Sequence, residues 1–132
     1  MNNSFITGNV SVPGMSVPRV STDLKSRDFW GAVMVRWGIN RGNYKIEPGL
    51  YAAGSPGPGS DVFVTSNYKL TFDQLRKNLS GTDGWILVLD TNGINVWCAA
   101  GKGTFGTKEL VSRIKQVSLE KVVNHKRLIL PQ

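Results

Sequence analysis

The sequence predicts an α/β fold, a Rossmann-like parallel sheet with a short cap helix over a ligand site. Three observations predict it. Trp85-Ile86-Leu87-Val88-Leu89 is a continuous apolar run, the pattern of a central parallel strand buried on both faces. Strand-like and helix-like segments alternate from Val62 onward. Finally, the strand ending at Asp90 is followed by a long segment, Thr91 to Gly106, where connections in such folds usually take about 2–6 residues.

The elements follow in order. Residues 1–22 are rich in Ser, Asn, Val, Pro and Gly and read as a flexible N-terminal tail, leaving 23–132 as the α/β domain. From Ser26 to Trp37 the residues Phe29, Trp30, Val33, Met34 and Trp37 fall at helical spacing, closed by Gly38. Tyr44 to Ala53 reads as extended, interrupted at Pro48-Gly49, and Gly54 to Ser60 as a loop. Val62 to Thr65 reads as a buried strand. Thr71-Phe72-Asp73-Gln74 matches a capping box, with Phe72, Leu75 and Leu79 inward and Gly81 as a left-handed stop. A further helix is expected from about Thr107, with Leu110, Val111, Ile114 and Val117 on one face. Arg127 to Leu130 reads as a last strand, and its core-grade composition so near Gln132 suggests a domain truncated at its C-terminus.

Composition narrows the function classes. The chain has 132 residues, enough for one domain. One cysteine and one histidine argue against a disulfide framework or an all-protein metal cage. The first residues show no signal peptide, and a reducing, cytoplasmic setting fits. The net charge of +7 is spread over scattered Lys and Arg, without the dense basic, aromatic-interleaved block of a nucleic-acid surface. A solvated basic face accounts for it equally well.

Segment 91–106 concentrates the chemistry. Asn95 is a good N-cap, Ala99 and Ala100 are helix formers, and Gly101 or Gly103 can close a short helix carrying Trp97 and Cys98. Gly101 to Gly106 matches the G-x-G-x-x-G dinucleotide fingerprint, but ten residues separate it from the strand it should follow directly. A phosphate-binding Walker loop needs Gly at 96 and Ser or Thr at 103, where the chain has Val96 and Gly103. A nucleophilic Cys98 needs a base, and nothing places His125 near it. An inert, buried cysteine beside Trp and Ala stays open on these grounds.

The string Asn95-Val96-Trp97-Cys98-Ala99-Ala100-Gly101-Lys102 resembles the cap-helix signature of the corrinoid protein family of microbial mercury methylation. The resemblance runs from about Asp28 to the chain end. It includes Arg36-Trp37-Gly38, Tyr44 to Tyr51, Val64 to Leu70 and Leu87 to Thr91. A related family is the large subunit of the corrinoid iron–sulfur protein of acetyl-CoA synthesis, which keeps an Ala-Ala-Gly-Lys cap and lacks the cysteine.

The resemblance implies a corrinoid-dependent methyltransferase with a cobalamin at the carboxyl ends of the strands. Cys98 would be the catalytic residue and the ligand to cobalt. Gly93, Asn95, Val96, Trp97, Ala99, Ala100, Gly101, Lys102, Gly103 and Thr104 would line the cofactor, with Thr65, Ser66, Asn67 and Thr91 as polar contacts at the strand ends. It further implies Hg(II) as substrate, a ferredoxin-like iron–sulfur reductant protein, an unidentified methyl donor and no nucleic-acid partner. It also implies a C-terminal membrane domain outside this chain, which would put the parent at the cytoplasmic face of the inner membrane. The fragment alone is expected to be insufficient for activity. The alternatives are a corrinoid methyl carrier of the acetyl-CoA pathway and a nucleotide-binding α/β module.

Overall fold

A computed structural model describes residues 6–12, 14–21, 46–90 and 107–130. Its elements are β1 (Ile6–Val12), β2 (Met15–Val20), β3 (Gly49–Ala53), β4 (Asp61–Ser66), α1 (Lys69–Asn78), β5 (Gly84–Leu89), α2 (Thr107–Gln116) and a 3-10 turn (Leu119–Lys121). The strands form one five-stranded sheet in the order β1-β2-β3-β5-β4. β4 and β5 run parallel, joined through α1, as the α/β reading expects. The sheet is mixed overall, because β3 pairs antiparallel with β5 and β1 pairs antiparallel with β2.

Side chains alternate across the sheet with the period of a strand. Trp85, Leu87 and Leu89 of β5 join Val62, Val64, Leu50 and Ala52 on one face, against Leu110, Ile114 and Val117 of α2 and its exit. Ile86 and Val88 join Tyr51 and Ala53 on the other, against Phe72, Leu75 and Leu79 around α1. The two helices therefore cover opposite faces. This explains why every residue of β5 is buried and why its sequence shows no polar alternation.

Several expectations are corrected. Within the segment expected to be a flexible tail, residues 6–12 and 15–20 form a hairpin that turns at Gly14 with φ of 81°. β2 joins the sheet by pairing Arg19 with Ala52 and Val20 with Ala53, and Val17 and Val20 enter the two cores. Burial of these valines supplies the hydrophobic gain that a solvated tail would forgo. The capping box at Thr71 does not form: α1 begins two residues earlier at Lys69, and its N-cap Tyr68 makes no side-chain cap. Val111, expected on the inner stripe of α2, is 43% exposed, because Leu110 and Ile114 alone meet the sheet from that helix. The last strand is reduced to one parallel bridge, Phe63 to Ile129, with Ile129 N–H donating to Val62 O and Val64 N–H to Ile129 O. Gly81 takes the left-handed φ of 79° expected of it. The helix expected over 26–37 lies outside the described residues.

Candidate functional site

In open α/β sheets ligands bind outside the carboxyl ends of the strands, where successive crossovers leave on opposite faces. Here that place is the end of β4 and β5. β4 leads into α1 on one face, and α2 after β5 packs on the other. Thr65 and Ser66 end β4, and Asn67 follows; all three are buried. Ser66 Oγ accepts the N–H of Tyr68 at 3.4 Å, which turns the chain from strand to helix. Asn67 O accepts the N–H of Ile46 at 3.0 Å and so fixes the approach to β3. The Thr65 hydroxyl is 2% exposed and forms no hydrogen bond with any described group.

The structure thus brings Thr65, Ser66 and Asn67 together at one strand end. Thr91, Gly93, Asn95, Val96, Trp97, Cys98, Ala99, Ala100, Gly101, Lys102, Gly103 and Thr104 lie outside the described residues. The residues that flank this segment are described and are held close. The Asp90 N–H donates to Glu109 Oε2 at 2.7 Å, and the same oxygen receives Arg113 Nε and Nη2 at 3.0 Å. Glu109 is in the first turn of α2, where a carboxylate is also favoured by the helix dipole.

Sequence reasoning missed a second set of residues beside the strand end. Lys69 Nζ meets Asp73 Oδ2 at 2.8 Å, and Arg76 Nε meets Asp73 Oδ1 at 3.1 Å. All three are buried, and Arg76 Nη1 donates to Ser21 O at 2.8 Å, tying α1 to the exit of β2. The Arg76 guanidinium also lies 5.5 Å over the Phe72 ring. The signal was present as Lys-x-x-x-Asp-x-x-Arg, which puts the three charges on one face of a helix. Nearby, Tyr51 donates its hydroxyl to Glu47 O at 2.7 Å and packs edge-on against Phe72. Burial first, and the Glu47 charge second, push the Tyr51 phenol up to about 12.

The family of the CO dehydrogenase/acetyl-CoA synthase delta subunit matches residues 40–132, which include β3, β4, α1, β5 and α2. The chain belongs to that family. Its relatives include the gamma subunit of the acetyl-CoA decarbonylase/synthase complex of Archaeoglobus fulgidus, 37% identical over 89 residues. The gamma subunit of Methanopyrus kandleri is 35% identical over 89 residues. The corrinoid/iron-sulfur protein large subunit of Moorella thermoacetica is 29% identical over 89 residues. Each match covers 66% of this chain and 19%, 19% and 20% of the relative, respectively. The chain therefore spans about a fifth of the length of these curated relatives. Residues 1–39, with the β1–β2 hairpin, lie outside the family match. Among the described residues no helix is long and apolar enough to cross a membrane.

Proposed function

We propose that this chain is a corrinoid-binding domain of a methyl-carrying protein, with cobalamin at the carboxyl ends of β4 and β5. The observation that carries the reading is the family match over the whole β4–α1–β5–α2 unit, together with relatives named for corrinoid and acetyl-CoA chemistry. The residues at the strand end fit such a group. A corrinoid is rimmed with amide side chains, and the Thr65 hydroxyl, which bonds no described group, is a donor and acceptor at that end. When bound, the corrinoid supplies a cobalt that takes up and gives away a methyl group.

The chain's own residues have separate tasks. Thr65, Ser66 and Asn67 offer polar contacts to the cofactor tail. Glu109 holds the start of α2 to the end of β5. Gly101 and Gly103 permit close backbone approach, and Lys102 is placed in sequence to meet polar or anionic groups of the cofactor.

The curated relatives favour a methyl carrier serving acetyl-CoA synthesis, acting within a larger protein assembly. One feature favours a second acceptor. Cys98 stands within the Asn95 to Lys102 string that resembles the mercury-methylation family, and its thiolate is a soft anionic donor suited to cobalt. On that reading the methyl goes to Hg(II) as substrate, electrons come from a ferredoxin-like protein, and the parent is held at the membrane by another domain.

Reconstitution with cobalamin tests both. Uptake with a visible spectrum that changes in Cys98→Ala supports the Hg(II) reading. Uptake with a spectrum indifferent to that change supports the acetyl-CoA carrier. No uptake by the folded chain overturns the corrinoid assignment and revives the nucleotide-binding alternative.

A further inference from the structure

We propose that His125 is a pH-operated clasp that fixes the residues around Ile129 to the outer edge of β4. Both ring nitrogens are used, and in opposite senses. Nε2 lies 2.7 Å from Ser60 O, an oxygen that can only accept, so Nε2 carries the hydrogen. Nδ1 lies 3.1 Å from the backbone nitrogen of Arg127, which can only donate, so Nδ1 is the bare acceptor. The geometry assigns the neutral Nε2–H tautomer.

Protonation cannot preserve this arrangement. It places a hydrogen on Nδ1, facing the Arg127 N–H, so that one of two opposed donors must move away. The Ser60 contact survives and the Arg127 contact is lost. Two residues further along, Ile129 donates to Val62 O and accepts from Val64 N–H. That is the only bridge this segment makes to the sheet among the described residues. Asn124 N–H to Pro58 O anchors the turn from its other side, independently of the ring. The release therefore falls on the Arg127–Ile129 side.

The charged groups on the elements around the ring are few. Asp61 follows Ser60 at the start of β4. Glu120 and Lys121 end the 3-10 turn, and Lys126 and Arg127 share the ring's own turn. None of the ion pairs among the described residues includes His125. Its hydrogen-bond acceptor role, more than a salt bridge, is what protonation removes.

The test uses the full chain in NMR. Ring 15N shifts at neutral pH are expected to report the Nε2–H tautomer. The Arg127 and Ile129 amide signals are expected to move with the same midpoint as the His125 ring. Exchange at those amides, corrected for its intrinsic pH dependence, is expected to rise about tenfold on protonation. In His125→Asn the side-chain oxygen can replace Nδ1 as acceptor without titrating, so the response is expected to vanish. An Nδ1–H tautomer, an Ile129 amide indifferent to the ring's titration, or an unchanged response in His125→Asn each overturns the clasp. The first two readouts need only the unmodified chain.

Discussion

The Asp90 backbone N–H and the Glu109 carboxylate, nineteen residues apart, are joined at 2.7 Å. This bond makes α2 a direct continuation of the β5 end in space, although a long segment separates them in sequence. Arg113 holds the carboxylate in place from one turn further along.

Glu109→Ala is expected to lower stability by about 1–1.5 kcal/mol, the typical net value of a hydrogen bond, since this one is solvent-exposed. Glu109→Gln retains an acceptor for Asp90 and loses the pair with Arg113. Its cost is expected to stay under about 1 kcal/mol, because that pair is partly solvated. Urea unfolding of the two variants distinguishes the backbone staple from the ion pair. Equal losses would assign the effect to Arg113.

Asp73→Ala is expected to cost about 3–5 kcal/mol, since it removes the carboxylate that both buried cations, Lys69 and Arg76, pair with. Replacing all three by apolar residues of similar volume is expected to cost less than the single change. Thermal unfolding measures both, and a mild effect of Asp73→Ala would show that the two cations are satisfied by water or by their other partners, such as Ser21 O for Arg76.

Thr65→Val keeps shape and removes the hydroxyl. Folding stability is expected to hold or rise, because no described hydrogen bond is lost. Cobalamin affinity is expected to fall about tenfold in an equilibrium titration. Loss of stability with unchanged affinity would make the hydroxyl a structural group.

On the Hg(II) reading, Cys98→Ala is expected to leave the fold intact and to abolish methyl transfer to Hg(II) in an assay with the complete protein. Transfer at the parent rate would remove Cys98 from cobalt and leave the acetyl-CoA carrier as the better reading.

Tyr51 is expected to ionise near pH 12 in an ultraviolet absorbance titration of the folded chain. Its folded value is raised above the ordinary 10.0, so the proton is held more tightly in the native state. The folded state therefore keeps its full stability below pH 10 and loses this part of it as pH rises toward 12. Tyr51→Phe is expected to flatten that part of the pH–stability curve.

β5 was legible because burial on both faces leaves an unbroken apolar run, and α1 because Phe72, Leu75 and Leu79 keep helical spacing. The hairpin was not, because Pro13, Gly14 and Pro18 outweighed the alternation of Ile6, Gly8, Val10 and Val12. Pro18 is tolerated since β2 reaches β3 only at Arg19 and Val20, so the sheet asks little of it on that side. The capping box failed for a different reason: Lys69 gains a buried partner in Asp73 by entering the helix earlier. The place of Thr65 and Ser66 at the end of β4 followed from topology. The Asp90–Glu109 staple did not, since contact between a backbone amide and a distant carboxylate leaves no periodic trace.

Trp85 gives the molecule an optical reporter. It is fully buried at the start of β5, with its indole N–H held by Gly57 O at 2.9 Å. Leu89, four positions on at the other end of the strand, is about 13 Å away at the rise of a β-strand. An emitter held rigidly at that distance from a strongly coloured ligand loses excitation to it. Binding at the far end of the sheet would therefore be visible as quenched tryptophan emission, without labelling the chain.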